Sequence, residues 1–332
     1  MIEAFLDNDL NSVPFLLAGG VLFLVTLDMG WRARRRWMML VYGVLVMVAI
    51  GLLVAGGALY WYTHRPRPEP VQQTLFSGIE YTREIRNTPR PINIHVIRID
   101  LDASGVAFMV TPHTPTGDRA LAGRTTSEFL DEFSLQVAIN GDFFAPWWSR
   151  LPWDYYPRSG DPVDVNGLSA SLGDVYTRGI VRPNGNTVYI SAENSVSFTP
   201  PADSIYNAIT GFGRIVRNGQ PNMGRLRGSY TFDPHPRTAI ALDQTGETLL
   251  LVVVDGRQPN YSEGVTLPEL ATILIEFGGW EGLNLDGGGS STLVIAGEDG
   301  PDVLNSPIHT RIPGRERPIA NHLGVFALPA PE

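Results

Sequence analysis

The chain has 332 residues and a formal net charge of -9, enough length for one large domain or two modest ones. Its mildly acidic balance argues against nucleic acid as a partner, because neutralising phosphates requires a basic face. Cysteine is absent, which removes disulfides, thiolate metal sites and a cysteine nucleophile together.

Two apolar runs dominate the N-terminus. The first, Val13 to Leu27, is short and contains Pro14, Gly19, Gly20 and Thr26; the second, Trp37 to Thr63, is longer and carries no charge. A helix needs about 20 apolar residues to cross a bilayer, so the second run predicts a transmembrane helix over 37–63. The first reaches that length only if Phe5 to Met29 is counted, giving an expected hairpin of helices over about 13–29 and 37–63 within a membrane anchor of residues 1–64. A signal peptide fits poorly, since the positive cluster follows the first run and no small-residue cleavage site precedes Trp31. Arg32, Arg34, Arg35 and Arg36 lie between the runs, and the positive-inside bias places them in the cytoplasm. The chain beyond residue 64 is then extracytoplasmic at the cell membrane, whether one run spans or two.

Residues 65–72 form a proline-rich, extended spacer, and 73–330 read as one globular domain. Ile92 to Leu101 alternates but changes phase at Val96-Ile97, predicting a bulged strand, with Val106 to Val110 as its hairpin partner. Thr125 with Glu128 is a capping box opening a short helix. Leu135 to Ile139 is an apolar strand running into Asn140-Gly141. Residues 145–235, rich in Pro, Gly, Asn, Trp and Tyr, predict long loops and short strands around a cavity, where function concentrates. Arg237 to Asp243 and Thr248 to Asp255 are paired strands. Thr266-Leu-Pro-Glu269 starts a second capped helix, with Leu270, Ile273, Leu274 and Phe277 on one side and Gly278-Gly279 as its stop. Gly282 to Leu285 and Thr292 to Ile295 are strands flanking a glycine turn, and Leu323 to Leu328 is the last strand. The expected class is α+β, a mixed β-sheet domain with few helices.

Three strand ends carry chemistry. In Asp286-Gly-Gly-Gly-Ser-Ser291, Gly287, Gly288 and Gly289 permit backbone conformations closed to other residues. Successive N–H groups of such a turn can cradle an anion, with the Ser290 and Ser291 hydroxyls as further donors; the alternative is a tight hairpin capped by Asp286. Asn140-Gly141-Asp142 offers an amide for a sugar hydroxyl and a carboxylate that either caps the turn or faces a site; Phe143 and Phe144 fit a core. Asp255-Gly256-Arg257 delivers a charge pair, and the planar Arg257 fork suits two phosphate oxygens, with Arg237 and Arg317 as other candidates. His322 and His95 titrate near neutrality or are satisfied polar residues.

Six segments in order resemble the phosphodiester glycosidase family. They are Ala138-Ile-Asn-Gly-Asp-Phe-Phe144, Arg237-Thr-Ala-Ile-Ala-Leu-Asp243, Leu251-Val-Val-Val-Asp-Gly-Arg257, Gly264-Val-Thr-Leu-Pro-Glu-Leu270, Leu283-Asn-Leu-Asp-Gly-Gly-Gly-Ser-Ser-Thr292 and Arg317-Pro-Ile-Ala-Asn-His-Leu-Gly-Val325. The likeness spans about residues 90–328 and departs from the family pattern at Asp142, where a small residue is common. It implies hydrolysis at a sugar's anomeric carbon with phosphate leaving, in envelope or extracellular glycoconjugates such as exopolysaccharide. Asp286 is then the expected base or nucleophile, with Asp142 or Asp255 second. Substrate and phosphate contacts are expected from Asn140, Arg237, Arg257, Gly287 to Gly289, Ser290, Ser291, Arg317 and His322. A phosphate leaving group lowers the demand for an acid, so one essential carboxylate beside cationic donors suffices. Asp142, Asp255, Asp286 and Asn284 are also hard oxygen ligands of the kind calcium or magnesium accepts. Two other functions compete: a non-catalytic polysaccharide-binding module using Trp147, Trp148 and Trp153, and a transferase sharing the same site.

Overall fold

A computed structural model describes residues 17–18, 20–25, 36–177, 186–224 and 226–330. The chain forms two compact units, residues 1–67 with 258–261, and residues 68–257 with 262–332. The first unit contains the helix Arg36–Thr63. Its Trp37–Thr63 stretch of 27 residues is the one helix among the described residues long and apolar enough to cross a membrane. The other half of the expected hairpin, over 13–29, lies largely outside the described residues.

The second unit is a stack of sheets capped by helices. An eight-stranded sheet runs in the order Val71–Phe76, Ile79–Arg86, Ile92–Asp100, Thr248–Val254, Arg237–Leu242, Glu281–Asn284, Arg214–Arg217 and Gln220–Pro221. Facing it is a five-stranded sheet of Pro301–Val303, Leu293–Ala296, Val137–Asn140, His322–Phe326 and Ala107–Val110. A second five-stranded sheet, holding Ser169–Ser171, Asn207–Thr210 and Thr187–Ile190, extends the stack. The expected class holds, a β-sheet domain with few helices, with one refinement: the ladders between described strands are antiparallel rather than mixed.

The core explains the sequence pattern. Ile97, Ile99, Leu249, Leu251 and Val253 meet Val137, Ile139, Leu293 and Val325 between the sheets. Ile92, Ile94, Val96, Leu250, Val252 and Val254 point the opposite way, onto the helix Leu267–Glu276. Even and odd positions of Ile92–Asp100 are therefore both buried, and its pairing with Ile79–Arg86 and Thr248–Val254 is uninterrupted. No bulge exists there; the apparent change of phase is a strand buried on both faces. The helix Thr126–Glu132 covers the far face of the five-stranded sheet through Phe129 and Leu130. Both helices begin with the expected capping boxes, on Thr125 and Thr266.

Two pairings differ from expectation. Ala107–Val110 pairs with His322–Phe326, not with Ile92–Asp100, because a four-residue segment that buries Phe108 and Val110 completes the second sheet. The strands flanking the glycine turn do not pair either: Glu281–Asn284 belongs to the eight-stranded sheet and Leu293–Ala296 to the five-stranded one. Residues 285–292 therefore cross from one sheet to the other, and the candidate site forms at that crossing.

Candidate active site

The crossing is held by Asn140. Its Nδ2 donates to the Asp286 carbonyl at 2.7 Å, while its Oδ1 accepts from the Thr238 hydroxyl at 2.6 Å and the Thr292 amide at 3.1 Å. The Asp286 amide in turn donates to the Gly141 carbonyl at 3.0 Å. Asn140 is fully buried and spends its side chain tying the two sheets together, so it is a positioning residue rather than the sugar contact anticipated. Gly141 is required beside it, since an added Cβ would sit 2.5 Å from the Asn321 Oδ1.

These ties bring Asp142 and Asp286 into one another's field. Asp142 is 2% exposed. Its backbone N–H donates to the Asn321 Oδ1 at 2.8 Å, and its Oδ2 accepts from the Gly167 amide at 2.7 Å. Burial pushes its carboxyl well above the usual carboxylate range; the Phe143 and Gly167 amides oppose that shift and the Asp286 charge adds to it. Asp286 is also raised by burial, but the Arg317 guanidinium, the Ser290 hydroxyl, the Gly287 amide and Arg257 all favour its ionised form. Burial thus raises both carboxyls, and only Asp286 has cationic groups opposing the shift.

Arg257 and Arg317 pack against the glycine turn. A Cβ at Gly288 would lie 2.9 Å from the Arg257 Nη1, and one at Gly289 would lie 2.6 Å from the Arg317 Nη2. Arg317 is the more enclosed. It donates through Nη1 to the Ser290 Oγ at 3.3 Å and through Nε to the His309 Nδ1 at 3.2 Å, and its guanidinium lies 5.1 Å from the Trp147 ring centre. Burial and the Arg317 and Arg315 charges push His309 down to about 3, so it stays neutral and accepts from Arg317.

Four N–H groups of the turn donate within the protein. The Gly287 amide donates to the Asp286 Oδ1, Gly288 to the Pro236 carbonyl, Ser290 to Gly287 and Ser291 to Gly288. Gly288 and Gly289 let the two guanidinium groups approach the turn closely.

Beside Asp142 opens a cleft of about 1180 Å³ lined by Phe143, Phe212, Tyr230, Gly167 and Thr210 among others. Phe143, Phe212 and Tyr230 contact one another with ring centres 5.4 to 5.9 Å apart. Phe143 is therefore a wall of the cleft rather than the core residue expected, whereas Phe144 is core, packed with Leu121, Val163 and Ile319.

Three predicted site residues lie elsewhere. Asp255 is buried, accepts from the Asn305 Nδ2 at 3.0 Å and the Ser306 amide at 2.8 Å, and pairs with the His95 Nε2 at 3.2 Å. It anchors the loop leading to His309 and makes no pair with Arg257. Arg237 is fully buried; it donates to the carbonyls of Val265, Tyr230 and Asp233 and lies under the Tyr230 ring. His322 stacks on Phe129 at 4.8 Å and bonds Thr111, on the core face of its strand. Strand alternation sends Asn321 toward Asp142 and His322 away. Ser291 is buried with no partner for its hydroxyl. Asn321, Gly167 and His309 are the site residues that sequence reasoning passed over. Among the described residues no three acidic or histidine side chains gather as a metal-ligand cluster, and Asp255 is held instead by His95, Asn305 and Ser306.

The domain is thus a stack of β-sheets whose crossing brings two carboxyls and two guanidinium groups beside a cleft. Residues 133–326 match the family model of the phosphodiester glycosidases, and the chain belongs to that family. Among solved structures, the catalytic domain of zebrafish N-acetylglucosamine-1-phosphodiester alpha-N-acetylglucosaminidase, auto-inhibited by its pro-peptide, is similar. It shares 21% identity over 79% of this chain and 85% of that one, with a TM-score of 0.52. A hypothetical protein from Synechocystis shares 17% identity over 78% of this chain, with a TM-score of 0.51, and this chain spans 64% of it. These likenesses show a common fold. No curated protein sequence matches the chain.

Proposed function

We propose that this is a membrane-anchored phosphodiester glycosidase whose extracytoplasmic domain hydrolyses sugar-1-phosphodiester linkages. The observation that carries the proposal is the convergence of Asp142 and Asp286 at the crossing, held by Asn140 and the Asp286–Gly141 hydrogen bond, with Arg257 and Arg317 against the adjoining glycine turn. In this scheme the phosphodiester lies against the two guanidinium forks, whose geometry matches two oxygens at once. The sugar ring extends toward the aromatic wall of Phe143, Phe212 and Tyr230. Asp286, ionised, takes a proton from water as the hydroxyl adds to the anomeric carbon. The bond from that carbon to the bridging oxygen breaks, and the oxygen leaves on the phosphate with the proton of Asp142. Arg317 stabilises both the Asp286 charge and the leaving phosphate, and neutral His309 fixes its orientation without adding a competing cation.

A polysaccharide-binding module would have no need of two dissimilar carboxyls beside two arginines. The test is turnover of sugar-1-phosphodiesters and of p-nitrophenyl glycosides by the purified chain, with and without EDTA. Sugar release from phosphodiesters, reduced at least about a hundredfold in Asp286→Asn, the lower scale for a positioned acid–base group, is the expected result. Near-full activity in that variant would remove Asp286 from the mechanism; binding without turnover would favour the module.

A further inference from the structure

The cleft beside Asp142 is larger than a single sugar requires. Pockets that enclose drug-sized ligands run to about 300–1,000 Å³, and a monosaccharide is smaller than such ligands, yet this cleft reaches about 1180 Å³. Its lining follows identifiable elements. Near Asp142 it is bounded by Gly167, Thr210 and the Phe143–Phe212 pair. From Phe212 its wall continues into the strand Arg214–Arg217, which alone covers roughly 10 Å at the usual rise per residue, and both ends of that strand line the cleft. The segment Phe198, Thr199 and Pro200 also lines it. Arg214 lies 4.7 Å over the Phe198 ring while paired with Glu281, which ties that segment to the start of the strand.

The lining alternates flat apolar surfaces with hydrogen-bonding groups. Phe198, Pro200, Phe212 and Tyr230 offer faces for the C–H side of pyranose rings, and Asn186, Thr187, Thr199 and Asn222 offer amides and hydroxyls for ring substituents. Among the described lining residues Asp142 is the only carboxylate, and Arg214, Arg217 and Arg227 are the cationic groups.

We infer that the glycone is an oligosaccharide: the cleft holds further sugar units of a chain whose reducing-end residue carries the phosphodiester. This deepens the proposed function and rests on it for the position of the scissile bond. The enzyme then releases a glycan chain from its phosphate rather than trimming single sugars, and units beyond the first supply binding energy along the 214–217 wall.

The experiment compares anomeric methyl phosphodiesters of glucose, galactose, mannose and N-acetylglucosamine with those of the matching di- and tetrasaccharides, using the full chain in detergent. Expected is a rise in kcat/KM of about tenfold or more from mono- to tetrasaccharide, equal to about 1.4 kcal/mol, carried mainly by KM. In Thr199→Trp, which fills the cleft from an exposed position, and in Arg217→Ala, the tetrasaccharide-to-monosaccharide ratio should fall toward one. Equal kcat/KM at all lengths, or a ratio unmoved in both variants, overturns the inference while leaving the proposed function standing. Turnover of no member of the series overturns the proposed function instead. The cleft is then judged by binding to Asp286→Asn: tetrasaccharide held at least tenfold tighter than monosaccharide supports the inference, and equal affinity ends it.

Discussion

Burial raises the proton affinity of both Asp142 and Asp286, and only Asp286 has two guanidinium groups set against that shift. For Asp142 the consequence reaches stability. Its folded carboxyl holds its proton more tightly than the ordinary value of 3.8, so between that value and the raised one the folded chain binds more protons than the unfolded chain. Stability therefore falls as pH rises across that window. Asp142→Asn removes the ionisation and keeps an acceptor for the Gly167 amide. Its melting temperature should match the wild type below about pH 4, near the ordinary carboxylate range, and exceed it by a few degrees at neutral pH, at roughly 2–4 °C per kcal/mol for a domain of this size. Activity should fall about a hundredfold, as for a lost acid. Thermal melts across pH decide the matter, and a gap that does not widen with pH counts against the assignment. Asp255 is the contrasting case, a carboxylate at an equally suggestive strand end that is enclosed by His95, Asn305 and Ser306. Asp255→Ala should cost about 3–5 kcal/mol, the scale for breaking a buried pair, and show as a lower melting temperature rather than as a changed pH–rate profile. Residue type and strand-end position marked Asp142, Asp286, Arg257 and Arg317 in the sequence. They equally marked Asp255, Arg237 and His322, because facing direction depends on which sheet covers the strand end.

At the scale of elements, local signals were legible and sheet membership was not. The capping boxes at Thr125 and Thr266 are set by residues three apart, and both form as read. The glycine segment has the composition of a hairpin turn, yet its flanking strands enter different sheets; nothing within 282–295 records that Asn140, more than a hundred positions earlier, ties the crossing together. The crossing gives its glycines separate duties that substitution should distinguish. At Gly287 an added Cβ would lie 2.7 Å from the Pro236 carbonyl, a backbone atom that cannot yield cheaply, so Gly287→Ala should destabilise the fold by about 1–3 kcal/mol, the usual cost of overpacking. At Gly289 the obstructing atoms belong to the far end of the Arg317 side chain. Gly289→Ala should leave the melting temperature within a few degrees and lower kcat by about tenfold or more, since the guanidinium must swing from Asp286. Equal losses of stability in the two variants would mean that the glycines share one packing role and that Arg317 is not free to move.

Across the whole molecule, the two compact units answer to different solvents. The helix Arg36–Thr63 has 28 residues, about 40 Å at 1.5 Å per residue, which exceeds a hydrocarbon core of about 30 Å. Its exposed side chains include Trp37, Leu40, Val44, Met47 and Val54, an apolar surface that water does not tolerate on a lone helix. Positive charge is denser before the helix, at Arg32, Arg34, Arg35 and Arg36, than after it, at Arg65 and Arg67, and under the proposed membrane anchoring the positive-inside bias would place residues 68–332 outside. The full chain should accordingly stay with membranes through alkaline carbonate extraction, and protease added to intact cells should remove the sheet domain and leave a fragment near the helix. Replacing the four arginines with glutamate should reduce the protease-accessible fraction, because the retained Arg65 and Arg67 would then carry the stronger cytoplasmic signal. A sheet domain shielded from external protease in the wild type would reverse the orientation, and with it the access of any envelope glycan to Asp286.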